Sequence, residues 1–335
     1  QASAGQANRV TPLFLQSPSP GLCRRVAWML SDLGVRIGYG AGTGIASVAE
    51  VREHAVWAAE AGFESFWLSQ VFGVDPLVAL AAIANEVPGL VELGTSVVPL
   101  VGRHPLALGA SARTTQSALG GRFTLAVGAS HQMVVEGFFG ASYHRPYTQA
   151  SEYLDALLPL LAGAPCDVDG EEVFAKGWLT IDAAPTPVLL AALGPRMLEL
   201  AGRRTEGTSV GHCGPRTIAE HVAPTIKAAA EAAGRPAPRI VALVGVCVTD
   251  DPEGLRAWSR SNSELYDAFP SYRAVLEREG VASGADLLLT GSIDQIEQGL
   301  AGYAAAGATD LRISIAARTK EERLATREAL AARLS

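Results

Sequence analysis

Charge is scarce in this chain: Asp, Glu, Lys and Arg together make up 18% of its 335 residues, against 48% hydrophobic residues. With 35 glycines for tight turns, that balance excludes a disordered polyelectrolyte and describes a globular protein with a large core. What charge there is leans acidic, at a net −7, so no general attraction to nucleic acid or to anionic lipid is expected. Cysteine is also sparse. Cys23, Cys166, Cys213 and Cys247 are far apart, and no CxxC or Cys/His spacing links any two, so free thiols, a reducing compartment and no metal site are expected. Long apolar runs are missing too. None approaches the roughly 20 residues that cross a bilayer. Val26 to Leu30, after Arg24 and Arg25, is shorter than the roughly 7 to 15 residues of a secretion signal. A cytoplasmic protein is expected, with no membrane or nucleic-acid partner. Also absent are a GxSxG elbow, an HExxH box and a Walker sequence, which removes the commonest hydrolase readings and points to cofactor chemistry.

What is present begins after a Ser/Pro/Gln-rich stretch. Residues 1–33 read as a disordered N-terminal extension, and 34–335 as one catalytic domain without internal repeats. From Val35 onward, short β-like runs alternate with helix-length amphipathic runs. The strand candidates are Val35–Gly40, Glu64–Ser69, Val91–Val98, Arg122–Gly128, Pro187–Leu193, Thr208–Gly211, Ile240–Val248 and Asp310–Ile315. About eight such strands, each followed by a helix, predict an α/β fold of the (β/α)8 TIM-barrel type. Asp75-Pro76 marks a helix start before Leu77–Asn85, and Thr217–Ala233 is another helix. Three stretches break the alternation: 129–149, a hairpin within 166–181, and 269–289. In such barrels the loops after the strands build the active site, which makes the first insertion the functional suspect.

Gly38-Tyr39-Gly40-Ala41-Gly42-Thr43-Gly44 invites a dinucleotide-fingerprint reading, but its register fails. Starting at Gly38, Gly40 or Gly42, the third glycine position holds Thr43, Ile45 or Ser47. A flexible loop after the first strand is preferred. Gly128-Ala129-Ser130-His131 places small residues and a histidine where the catalytic face should be. The turn would suit a phosphate, with backbone N–H groups at a helix start, or it is simply a tight turn. His54 reads as a surface or interface residue within a helix over Ser47–Ala61. The pairs Arg103-His104 and His144-Arg145 read either as anion contacts or as solvated charges.

Further runs carry a family likeness. Val91-Glu92-Leu93-Gly94-Thr95-Ser96-Val97-Val98-Pro99, Arg103-His104-Pro105-Leu106-Ala107-Leu108 and Gly120-Gly121-Arg122-Phe123 resemble luciferase-like proteins of the F420-dependent branch. The likeness continues through Val135 to Gly140, Arg145-Pro146, Glu152-Tyr153-Leu154, Ala192-Leu193-Gly194-Pro195 and Thr290-Gly291-Ser292. It spans nearly all of residues 34–316. The resemblance implies a TIM barrel of the bacterial luciferase-like type, a homodimer, and coenzyme F420, alternatively FMN, lying across the C-terminal mouth. It also implies a bulged third strand with a non-prolyl cis peptide between Ser96 and Val97, Val97 pressing against the ring.

Carried onto this chain, the cofactor contacts are Ser69, Gln70, Ser96, Val97, Gly128, Ala129, Ser130, His131, Leu193 and Gly194. The implied function is F420-dependent hydride transfer to a small organic substrate with an activated C=C, C=N or C=O bond. His131, or water held by Gln70, is the expected proton source, with phosphate binding the preferred role of His131. The rivals are an FMN-dependent monooxygenase and a cofactor-binding protein without turnover. The chain departs from the family where other members carry an Asp-His pair after the second strand. Here Trp67-Leu68-Ser69-Gln70-Val71-Phe72 puts Val71 at the histidine position, and His131 stands where a carboxylate is usual. Their substrates and acid–base roles therefore do not transfer.

Overall fold

The computed structural model describes residues 30–334 except Val71. The expected extension and Cys23 lie outside the described residues up to Met29, as does the Val71 position. Leu30–Leu33 is a 3-10 helix, and Leu30 is buried in the core.

Eight parallel strands close the barrel: β1 (Arg36–Gly40), β2 (Ser65–Leu68), β3 (Glu92–Thr95), β4 (Phe123–Gly128), β5 (Val188–Leu190), β6 (Gly207–Val210), β7 (Arg239–Val248) and β8 (Asp310–Ile315). Each pairs with the next, and β8 closes on β1 with Ile37 opposite Leu311. All eight fall on the strand candidates. Two short strands join the same sheet: Val98–Pro99 beside β4 and Leu289–Gly291 beside β7. Helices cover the outside, and proline repeatedly opens them, at Pro76, Pro105, Pro146, Pro195 and Pro215. Proline fits there because the first helical N–H has no acceptor anyway.

The insertions also resolve. The first contains the short helix Gln132–Gly137. The second is the hairpin Cys166–Asp169 with Phe174–Gly177. Its turn is fastened by Glu152, whose carboxylate accepts the N–H groups of Glu171, Glu172 and Val173 at 2.7–3.0 Å. The third starts earlier than expected, as the helix pair Pro252–Asp267 and Pro270–Glu279 between β7 and β8.

Side chains, not space, fill most of the barrel interior. Trp67 on β2 lies fully buried across it, against Ala126, Leu189 and Val241. Its indole N–H donates to Ser65 Oγ at 2.9 Å. The ring fits only because its neighbours lack side chains: a Cβ on Gly94 would stand 2.2 Å from Trp67 Cζ3, and one on Gly38 2.9 Å from Nε1. Below the ring, at the N-terminal ends of the strands, Glu92 and Asp310 meet Arg239 at 2.7 Å each and Arg36 at 3.3 and 2.7 Å. Thr124 Oγ1 donates a further bond to Glu92 at 2.5 Å. Four strands are thus tied by mutually compensated charges.

The glycine run receives its explanation here. Gly38 makes way for Trp67, and Gly40 lies so close to Arg312 that a Cβ would meet its Cγ at 3.0 Å. Both belong to β1, so only the later glycines, Gly42 and Gly44, occupy the expected loop. Tyr39, between Gly38 and Gly40, points outward, with His54 Nδ1 3.0 Å from its hydroxyl and Arg327 Nη2 3.2 Å from the same nitrogen. His54 therefore packs between helix and barrel rather than on an open surface.

Gly94→Ala should overpack the interior against Trp67, costing roughly 2–3 kcal/mol and lowering the thermal midpoint by several degrees. Trp67→Phe in the same chain should recover part of that loss. Strictly additive losses in the two single variants and the double variant would show that the two sites do not touch.

Candidate functional site

Above Trp67, at the C-terminal ends of the strands, the interior opens into a cavity of about 320 Å³. This is the end at which barrels of this type carry their chemistry. Ser96, Val97, Gly128, Ala129, Ser130, His131, Leu193 and Gly194 all line it. Sequence reading thus brings eight of its positions to one place. Ser69 and Gln70 do not line it.

The floor is the bulge after β3. The Ser96–Val97 peptide is cis, at the expected position. Ser96 N donates to Leu68 O at 2.6 Å, Ser69 Oγ to Ser96 O at 2.5 Å, and Gln70 N to Val97 O at 3.2 Å. Val97 is thereby set over the Trp67 cluster. Ser69 and Gln70 hold the bulge rather than face the cavity. The Gln70 side-chain oxygen accepts from Arg103 at 3.0 Å, and Arg103 also pairs with Asp75. In this arrangement the Gln70 side chain fastens Arg103.

The loop after β4 forms one side. Ser130 has φ +63°, and its carbonyl accepts the Tyr143 hydroxyl at 3.0 Å. His131 precedes the Gln132–Gly137 helix without a side-chain cap bond. Its imidazole instead stacks on Phe269 at 4.2 Å, with Tyr272 at 4.9 Å. Burial, and then the neighbouring His212, pull its pKa below the usual histidine value. His131 is therefore neutral near pH 7, able to donate one hydrogen bond but not to offer a cation to phosphate. On the opposite side Leu193 O is held by His221 Nε2 at 2.8 Å, and Gly194 starts the helix Pro195–Arg204.

The expected basic pairs are already engaged. His104 Nδ1 accepts Leu106 N at 3.2 Å and its Nε2 lies 2.7 Å from Phe174 O. His144 lies 3.2 Å from Glu172, and Arg145 pairs with Glu171.

Sequence reading missed two groups at the cavity. Arg312, on β8, is 6% exposed and faces no carboxylate. Its Nη1 donates to Ser96 O at 3.2 Å and Ser69 Oγ at 3.3 Å, while its buried Nε has no partner. Burial pushes its pKa down to about 10, against an opposing effect of Tyr272. It still carries its charge at neutral pH. The signal was available, because a lone arginine in Asp310-Leu311-Arg312-Ile313 breaks the apolar character of a barrel strand. Tyr272, from the third insertion, lines the cavity, and burial pushes its phenol up to about 12. The third insertion was expected to help form the pocket, but nothing in the sequence singled out Tyr272 within it. Ser209 completes the polar set, with Oγ 3.0 Å from Ser96 Oγ. Among the described residues no His/Cys/Asp/Glu cluster is arranged for a metal ion.

Comparison with known proteins agrees with this architecture. Residues 26–310 match the model of a family described as luciferase-like monooxygenase. A 5,10-methylenetetrahydromethanopterin reductase of Methanolobus tindarius is 26% identical over 250 residues, 73% of this chain and 76% of that protein. A putative coenzyme F420-dependent oxidoreductase of Mycobacterium tuberculosis is 29% identical over 190 residues, covering 52% of this chain and 54% of that protein. Among solved structures, an EDTA monooxygenase from Chelativorans superposes with a TM-score of 0.74 at 16% identity, over 90% of this chain and 93% of that one. That likeness concerns the fold.

The pH dependence of stability follows from the buried imidazoles. His54, His131 and His212 all have pKa values lowered by burial, so below about pH 6.5 the unfolded chain binds protons that the folded one refuses. Their contribution is complete above that pH and is lost as pH falls through it. The depressed Glu322 carboxyl, at about 2, loses its contribution only in a more acidic range. The thermal midpoint should fall between pH 7.5 and 5.5, and His131→Gln should reduce that fall. An undiminished fall would remove His131 from this account.

Proposed function

The chain belongs to the luciferase-like monooxygenase family, and on that premise we propose that it is an oxidoreductase that uses coenzyme F420 to reduce an activated C=C, C=N or C=O bond of a small organic substrate. The observation that carries the reading is Arg312, a guanidinium that lines the cavity at the barrel mouth, bonds only through Nη1 to Ser96 O and Ser69 Oγ, and has no carboxylate partner. A buried arginine without a carboxylate is costly unless an acceptor completes it. The pyrimidine-type edge of a deazaflavin or flavin ring offers such acceptors, and Ser96 and Ser209 add hydroxyl donors beside it. Curated relatives named for F420 or for methanopterin reduction weigh toward the deazaflavin.

When bound, the reduced deazaflavin supplies a hydride from its ring carbon. The chain supplies the rest. Val97, Ala192, Leu193 and Met197 give the cavity apolar walls that exclude water from the reacting faces. Arg312 stabilises negative charge at the ring edge. Tyr272 holds a proton for the reduced substrate: its hydroxyl bonds to no described residue, lines the same cavity, and stays protonated because burial raises its pKa. Neutral His131, packed against it with ring centroids 4.9 Å apart, is the second group with a transferable proton.

Fluorescence titration of the purified protein tests the proposal. F420 should bind at micromolar or lower concentration and FMN more weakly. Arg312→Met should weaken F420 binding by about 10- to 100-fold, the scale of a lost charge-assisted hydrogen bond. Preference for FMN would move the function to flavin oxygenation. Binding of neither would overturn it.

A further inference from the structure

Beside the first cavity lies a second, of about 180 Å³, where the loop after β6 meets the C-terminal ends of β7 and β8 and the third insertion. Leu243 lines both spaces. The rest of the partition is a stacked pair with ring centroids 4.3 Å apart, Tyr272 lining the first cavity and His212 the second.

The second cavity is marked by polar side chains with nothing to bond. Tyr303 is 2% exposed, yet its hydroxyl bonds to no described residue; neither do the hydroxyls of Ser259 and Ser314 or the imidazole of His212. None of these atoms is sealed in the packing, and all four residues line the cavity. Buried phenols and imidazoles ordinarily find partners, in the chain, in water or in a ligand.

The chemistry of the lining is uniform. No charged side chain lines the space. Neither nearby acid lines it: Asp267 accepts from Ser263 Oγ at 3.2 Å, Ser283 Oγ at 2.6 Å and Gly284 N at 3.1 Å, and Glu279 acts on Cys213 and Tyr303 from outside the lining. Burial raises the Tyr303 phenol, and lowers the His212 imidazole against the pull of Asp267, so both are neutral. Hydroxyls and a neutral imidazole can each donate and accept. A carboxylate or phosphate would lose its hydration here facing Asp267 and Glu279 rather than a counter-charge. Of the cations near it, Arg312 lines the first cavity and Arg278 acts on Cys213 without lining the space.

We propose that this second cavity binds the uncharged, hydroxyl- or amide-bearing end of the acceptor substrate, whose reacting end lies across Leu243 in the first cavity. The proposal rests on the first cavity being the site of hydride transfer. It makes the substrate a two-part molecule: an electron-poor double bond at one end and a neutral hydrogen-bonding group at the other. Waters that complete Tyr303, Ser259, Ser314 and His212 in the free protein would be exchanged for that group.

The test uses the imidazole Cε1 signals of the full chain, labelled with carbon-13 at its six histidines. Glycerol is the neutral probe, acetate its anionic control, and F420 the probe of the first cavity. Glycerol should shift the His212 signal saturably, in the millimolar range usual for so small a ligand, and acetate should not. F420 should shift His131. Tyr303→Phe should weaken the glycerol response at least threefold, and Ser314→Leu, which fills the space, should abolish it while the other histidine signals stay in place. A non-saturating shift shared by all histidines, an equal response to acetate, or a response undiminished in both variants overturns the site. A glycerol response at His212 with no F420 response at His131 would overturn the hydride-transfer reading, and with it the assignment to a substrate.

Discussion

The placement of Trp67 constrains everything above it. A parallel barrel of eight strands has an interior that must be filled, and here one indole does much of that filling. The ring demands glycine on both flanking strands, at Gly38 and Gly94. It also sets the level at which the cavity begins, because Val97 rests on its cluster. Arg312 then occupies the next layer up, over the gap left by Gly40. The cavity is shallow and confined to the mouth because the layers beneath are full.

Charge is distributed along the barrel axis in the same orderly way. At the N-terminal end two carboxylates and two arginines compensate one another. Burying them is tolerable only as a set, since removal of one partner strands the others. At the C-terminal end a single arginine has no acidic partner, and the titratable groups around it are held neutral. The first arrangement is closed to ligands by its own satisfaction. The second is open to them by its lack of it.

The fold was legible because its signals are local. Alternation of short β-branched runs with helices, and prolines at helix starts, needs no knowledge of distant contacts, and the strands fall where those runs are. The candidate site was legible where it sits on strand ends: Ser96, Val97 and the Gly128–His131 turn arrive at the mouth because strand register carries them there. Gln70 follows a strand just as directly, yet its side chain turns to Arg103, a partner 33 residues away, which no local pattern could reveal. Tyr272 was hidden for the opposite reason: it belongs to an insertion whose path over the barrel is set only by tertiary packing. Gly38 and Gly40 fell within the strand expected over Val35–Gly40, but why glycine stands there was not legible, because both record the bulk of side chains on other strands.

The ring of charges at the barrel's base also ties the molecule to the order of its own synthesis. Arg36 and Asp310, which meet at 2.7 Å, stand near opposite ends of the described chain. A ribosome adding about 5–20 residues per second needs roughly 15 to 60 s to pass from the first strand to the last. Throughout that interval Arg36 and Arg239 have at most Glu92 to pair with and lack Asp310, the second carboxylate of the set. A nascent barrel lacking β8 therefore keeps these groups in water, where they are inexpensive, and the interior dries only when the final strand delivers Asp310 to the base and Arg312 to the mouth in a single insertion.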